Sequence, residues 1–210
     1  MNDLADTIRV PADAEQALRM RADWDRFFSQ PVMHENLSLT SFEIGQFRRH
    51  VLSGHGRRAV DIGCGWGFLT AAMAQMGLWT TGYDWSPVAV AGASNLFDHK
   101  RLEFKVHDFV TETPPRELVP GSLDVVACRL TLPYLDRHIA MGDFRRWLKP
   151  HTGTLYLVVQ VWERQQPGMI RGYPNAVVED LRQGWAHTAR WDLDPAGEYT
   201  ALALTGPGSQ

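Results

Sequence analysis

Val60-Asp61-Ile62 runs directly into Gly63-Cys64-Gly65-Trp66-Gly67. A short apolar strand that ends on alternating glycines, followed by an amphipathic segment, leaves few folds open. Glycine lets the backbone turn sharply and come against a ligand. The helix that follows offers unpaired N–H groups at its start. The spacing is G-x-G-x-G, and Phe68 stands where the dinucleotide fingerprint needs its third glycine, so a nicotinamide cofactor is disfavoured. Any tight turn can use glycine, so the run gains its weight from what surrounds it.

What surrounds it is an alternation of strand and helix. The strand at Ala59–Ile62 is followed by a helix whose expected inner face is Phe68, Ala72, Met73 and Met76, with Gly77 at its C′ position. Further strands are expected at Trp79–Tyr83, Leu102–His107, Leu123–Cys128 and Thr154–Val161. Between them, Ser86-Pro87 starts a helix with an N-cap and an N1 proline. Another helix is expected from about Leu135 to Leu148. A helix over Asn175–Gln183 and strands near Trp185–Leu193 and Glu198–Leu204 close the pattern, before a frayed tail at Gly206–Gln210. Such alternation implies a parallel sheet with right-handed crossovers. The short Asp194–Gly197 link between the last two strands suits an antiparallel hairpin. The expected fold is therefore α/β, a doubly wound, mostly parallel sheet with an antiparallel strand at the end. Ahead of it, helical periodicity over Ala12–Phe28 and Ser41–Leu52 predicts an N-terminal helical cap spanning 1–52, packed with the sheet domain of 53–206 as one compact unit.

Composition excludes several classes. The hydrophobic fraction is 44% over 210 residues, enough for one sizeable core and too much for a disordered chain. The net charge of −3 gives no bulk attraction to nucleic acid or anionic lipid. No stretch is long and apolar enough to span a membrane, and Met1–Val10 has no apolar signal region. A cytoplasmic protein with no membrane or nucleic-acid partner is expected, either monomer or homodimer. Cys64 and Cys128 form no disulfide framework, and no metal-ligand set is evident.

Three further stretches place polar groups at the carboxyl edge of the expected sheet, where ligands of such folds bind. Asp84, in Gly82-Tyr83-Asp84-Trp85-Ser86-Pro87, can accept both hydroxyls of a ribose or simply serve the turn. In His107-Asp108-Phe109 the acid can meet an adenine amino group and Phe109 can pack on the ring, whereas His107 reads as strand packing. The strand ending Cys128-Arg129-Leu130-Thr131 opens into a loop at the same edge.

Together these four stretches, in this order, resemble the class I S-adenosylmethionine-dependent methyltransferases over roughly Arg57–Leu204. The family's Asp-x-Gly-x-Gly-x-Gly run matches Asp61, Gly63, Gly65 and Gly67. Its ribose acid matches Asp84 and its adenine-side acid Asp108. Its Lys-Pro-Gly-Gly turn appears as Lys149-Pro150-His151-Thr152-Gly153, a departure in scaffold only. The resemblance implies a seven-stranded Rossmann-like methyltransferase fold, S-adenosyl-L-methionine as cofactor, and a cap that acts as a lid. The expected cofactor contacts are Asp61, Gly63, Cys64, Gly65, Gly67, Asp84, Trp85, Asp108, Phe109 and Arg129.

The acceptor is narrowed by what the loop after the fourth strand lacks. Amino-methylases of bases and of glutamine resemble one another in an Asn/Asp-Pro-Pro-Tyr loop, whereas here the residues are Thr131-Leu132-Pro133-Tyr134. A small organic acceptor is expected, a secondary metabolite or quinone-like ring. Phe27, Tyr134, Trp162 and Tyr173 are candidates for its walls, and His34 and His138 for a general base. Trp24 and Phe28 read as the core face of the first helix. The alternatives are a protein that binds the cofactor without transferring methyl, and an RNA or protein methyltransferase.

Overall fold

A computed structural model describes residues 14–30, 38–51, 57–165 and 170–207. Helices α1 (Ala14–Phe28) and α2 (Ser41–His50) precede the sheet. Strand β1 (Arg58–Ile62), helix α3 (Phe68–Gln75), β2 (Trp79–Asp84), α4 (Pro87–Leu96) and β3 (Leu102–Val106) form the first half. The second half is β4 (Val125–Arg129), α5 (Arg137–Trp147), β5 (Thr154–Val161), the two-residue β6 (Gly172–Tyr173), α6 (Asn175–Asp180), β7 (Trp185–Asp192) and β8 (Tyr199–Pro207). The strand order is β3-β2-β1-β4-β5-β8-β7, with β6 paired to β5. Strands β1 to β5 are parallel neighbours along this path, and β8 is antiparallel to both β5 and β7. The doubly wound expectation holds, with β6 as an extra short strand.

Local chemistry explains the element limits. Ser86 caps α4 by accepting from the Ala89 N–H at 3.1 Å, and Pro87 takes the first helical position. Thr40 caps α2 in the same way through the Glu43 N–H at 3.0 Å. The expected helix from Leu135 starts later. Pro133 sits in a 3-10 turn over Leu132–Tyr134, Leu135 is extended, and Asp136 then caps α5 by accepting from the N–H groups of His138 and Ile139. Helix α3 is rotated from its expected phase. Leu69, Thr70, Met73 and Ala74 are buried, not Phe68 and Met76, because the Thr70 hydroxyl donates to buried Asp61 at 2.7 Å and fixes that side inward. Of the tail expected to fray over 206–210, Gly206 and Pro207 instead continue β8, with Trp185 opposite Pro207 and the Gly206 N–H bonded to the Gly153 carbonyl, and 208–210 lie outside the described residues.

Two apolar layers cover the sheet. On one face Val60, Ile62, Tyr83, Val126, Leu155 and Leu157 pack with Phe144, Trp147 and Val178 from α5 and α6. On the other, Ala59, Val125, Ala127, Tyr156 and Val158 pack with Phe47 from α2 and with Leu69 and Met73 from α3. β1 lies at the switch point: the chain winds outward through β2 and β3 on one side and through β4 and β5 on the other. A crevice at the carboxyl ends of these strands follows from that order.

Candidate active site

The registers bring the candidate residues to one edge. Asp61 lies opposite Gly82 and Ile62 opposite Tyr83, so Asp84 extends just past the end of β1. Asp84 pairs with Val106, which leaves His107 and Asp108 immediately beyond β3. Arg129 ends β4. These ends open into a cleft of about 980 Å³, its mouth included, lined among others by Asp61, Gly63, Cys64, Gly65, Asp84, Trp85, Asp108, Phe109, Arg129 and Tyr134. Gly67 stands just behind the cleft as the N-cap of α3, in left-handed conformation. His138 is exposed on the first turn of α5, outside this lining, and is not brought to the site. Trp162 is exposed, and Tyr173 is buried away from the cleft with its hydroxyl donating to the Leu132 carbonyl. Phe27 packs on Trp24 and Trp66. His34 lies outside the described residues.

The glycine turn is shaped for close approach. At Gly63 (φ +73) an added Cβ would lie 2.1 Å from the Thr131 hydroxyl, which donates to the Gly63 carbonyl. At Gly65 (φ +51) a Cβ would meet Phe28 of α1 at 3.2 Å. α1 therefore lies across the mouth: Trp24 and Phe28, read from the sequence as core, line the cleft. Trp24 stacks on Phe28 at 5.5 Å and meets Tyr134 edge-on at the same distance. Asp25 of the same helix accepts from the Ser86 hydroxyl.

Electrostatics favour a donor-rich, cationic ligand. Asp61 is 1% exposed, and its Oδ1 has no partner among the described residues. Burial pushes its pKa from 3.8 to about 7, against the Thr70 hydrogen bond and the Arg129 charge. Asp84 is held by the N–H groups of Gly65 (2.8 Å) and Ser86 (2.9 Å), yet burial still raises it to about 6. Asp108 accepts from the Val110 N–H and the Thr111 hydroxyl. Arg129 is matched by buried Glu43, with Nε to Oε1 at 2.9 Å and Nη2 to Oε2 at 3.1 Å, and the Tyr156 hydroxyl donates to the same acid. Three carboxyl groups thus face the cleft with Arg129 already paired. Each ionised oxygen accepts more than one hydrogen bond, so ribose hydroxyls, an ammonium and an exocyclic amine all fit these acceptors. Burial raises the Cys64 thiol well above its ordinary value, which keeps it neutral. No group of His, Cys, Asp and Glu among the described residues is arranged to hold a metal ion.

Glu43, Tyr156 and the cleft-lining position of His107 escaped the sequence reading. Only the packing of α2 and of the turn after β3 reveals them.

Comparison with known proteins agrees with this geometry. Residues 59–151 match the model of a family described as a methyltransferase domain. A ubiquinone biosynthesis O-methyltransferase of Pseudomonas aeruginosa (strain LESB58) is 39% identical over 98 residues, 45% of this chain and 41% of that enzyme. The chain thus spans less than half the length of the curated relatives it matches. Among solved structures, phosphoethanolamine N-methyltransferase 1 of Haemonchus contortus, in complex with phosphoethanolamine and S-adenosylhomocysteine, has a TM-score of 0.71 at 14% identity, covering 93% of this chain and 50% of that one. A complex of the Haloferax volcanii Trm112 methyltransferase activator with its putative methyltransferase gives 0.63 at 19% identity, covering 96% and 99%. These two likenesses concern the fold. With the glycine turn, the strand-end acids and the matched domain in register on one sheet, residues 59–151 form a methyltransferase domain similar to those of the class I S-adenosylmethionine-dependent methyltransferases.

Proposed function

We propose that this protein transfers a methyl group from S-adenosylmethionine to an oxygen of a small, ring-bearing organic acceptor. One observation carries the acceptor class: besides the glycine turn, the cleft is walled by the packed rings of Trp24, Phe28 and Tyr134, with Leu39, Leu135 and Ile170 also in its lining. Such a wall takes an apolar, flat molecule. The match to ubiquinone biosynthesis O-methyltransferases supports oxygen as the acceptor atom.

S-adenosylmethionine supplies, when bound, a methyl group already activated by a positive sulfur. The chain's residues hold the partners in line. Asp84 accepts the ribose hydroxyls, Asp61 faces the ammonium and Asp108 takes the exocyclic amine. The three acids also balance the cofactor's positive charge in a partly buried cleft. Positioning of this kind supplies on the order of 7–11 kcal/mol of a barrier. The cap of residues 1–52 acts as a lid in this reading. Phe28 sits on the face of Gly65 that a ligand must approach, so α1 withdraws on binding and returns over the acceptor.

Labelled methyl transfer to a panel of small phenols and catechols tests the reading. Acceptor-dependent formation of S-adenosylhomocysteine is expected. Label appearing only in RNA or protein, or product forming equally without acceptor, refutes it.

A further inference from the structure

We propose that His107 is a second reader of the cofactor's base: its Nε2 accepts one N–H of the adenine exocyclic amine while Asp108 accepts the other. The inference rests on the cleft being the S-adenosylmethionine site, as proposed above.

His107 lies directly after β3 and lines the cleft beside Asp108 and Phe109. Its side chain is only 10% exposed, with Nδ1 3.0 Å from Glu112 Oε2. The ring packs edge-on against Phe109 at 4.4 Å and Tyr83 at 6.1 Å. Glu112 is itself placed by the turn, its N–H bonded to the Asp108 carbonyl at 2.9 Å. Nε2 is buried and has no hydrogen-bond partner among the described residues. Buried polar atoms are almost always satisfied, and one that is not calls for a ligand or a water.

The chemistry of the missing partner follows from the tautomer. An ionised carboxylate only accepts. Glu112 therefore holds a proton on Nδ1, and in a neutral imidazole so held the bare lone pair is at Nε2. What Nε2 needs is a donor. Next to it, Asp108 is also acceptor-only, held in place by Val110 and Thr111. Two neighbouring acceptors call for a group with two N–H bonds, and the 6-amino group of adenine has them. A 6-oxo purine would set its carbonyl oxygen against both. His107 thus makes the site select aminopurine over oxopurine, with Glu112 as the positioning residue that fixes which nitrogen is bare.

The test compares binding of S-adenosylhomocysteine with that of its 6-oxo analogue, S-inosylhomocysteine, by calorimetry on the full chain. The wild-type protein is expected to prefer the amino compound by about 100-fold or more, as sites built around a substrate donor do. In His107→Phe, which keeps the ring packing, the preference should shrink about tenfold, the order of one lost hydrogen bond. Glu112→Gln is exposed and leaves the fold alone. Its amide supports either tautomer, so the preference should shrink about threefold there, with the affinity for the amino compound following it. A wild-type ratio retained in both variants overturns the proposal. If His107→Phe does not fold, a wild-type ratio in Glu112→Gln alone overturns it. Wild-type binding of neither compound overturns the cofactor reading together with this one.

Discussion

Replacing Asp61 with Asn should remove a loss of stability that the wild-type protein suffers as pH rises. Asp61 lies 1% exposed at the end of β1 with one oxygen bonded to Thr70 and the other unpartnered. Burial raises its pKa from 3.8 to about 7. The sign follows from proton counting. Between pH 3.8 and about 7 the unfolded chain has released a proton that the folded chain still holds, so stability is full below that window and is lost as pH rises through it. At about 1.4 kcal/mol per pH unit across the window, ionised Asp61 costs the fold on the order of 4 kcal/mol at pH 8. Asn removes that cost at every pH and keeps the Thr70 bond through its carbonyl oxygen. It leaves an unpartnered amide N–H group, at about 1–3 kcal/mol. The variant should therefore be less stable than the wild-type protein below about pH 4 by about 1–3 kcal/mol, match it between about pH 4.5 and 6, and be more stable at pH 8 by about 1–3 kcal/mol. Guanidinium unfolding of the ligand-free protein at intervals from pH 4 to pH 8 measures this directly. The curves of the two proteins should cross. Parallel curves would mean that Asp61 is ionised throughout, and the argument from its burial would be wrong.

Gly65→Val should leave a folded protein that binds S-adenosylhomocysteine at least about 100-fold more weakly, since the side chain occupies the ligand's approach and φ is +51 there. The same change should push Phe28 aside, visible as altered fluorescence from Trp24; unchanged binding refutes the close approach. Phe28→Ala should speed association of S-adenosylhomocysteine about threefold to tenfold in stopped flow, because α1 must clear Gly65 first. Slower association would mean that α1 helps build the entry path. His151 is exposed and left-handed, with φ 64. His151→Gly should stabilise by about 0.5–1 kcal/mol, the left-handed cost less glycine's own entropy, and a lower melting temperature would refute that balance.

How much of this was legible depended on the reach of each signal. The Ser86-Pro87 start of α4, the glycine run, and the acids at the ends of β1 and β2 rest on short local patterns, and the parallel registers carry them to one edge. Helix α1 shows the opposite case. Its apolar stripe is plain in the sequence, but a stripe does not say what it covers, and Trp24 and Phe28 line the cleft instead of joining either apolar layer of the sheet. The phase of α3 was misread because its apolar residues lie nearly all around, and one hydroxyl, Thr70, decides its rotation. The ion pair of Glu43 with Arg129 joins residues far apart in the chain, so no periodicity could announce it. His107 read as packing because nothing local shows that Glu112 folds back onto it.

That ion pair bears on how such proteins can exchange parts. Glu43 is 2% exposed, and it ties α2 to Arg129 at the end of β4 and to Tyr156 on β5. A buried charge stripped of its partner costs about 3–5 kcal/mol, a large share of a typical domain's stability. Caps cannot therefore be traded freely between relatives along the boundary near residue 52. A chimera that receives a foreign helix in place of α2 inherits a stranded arginine in the floor of its own cleft. It survives only if the new helix brings an acid to the place of Glu43, or if Arg129 is replaced by an apolar residue in the same step. Acceptor range in this lineage would then change by coupled substitutions across the cap and β4, not by exchange of the cap alone.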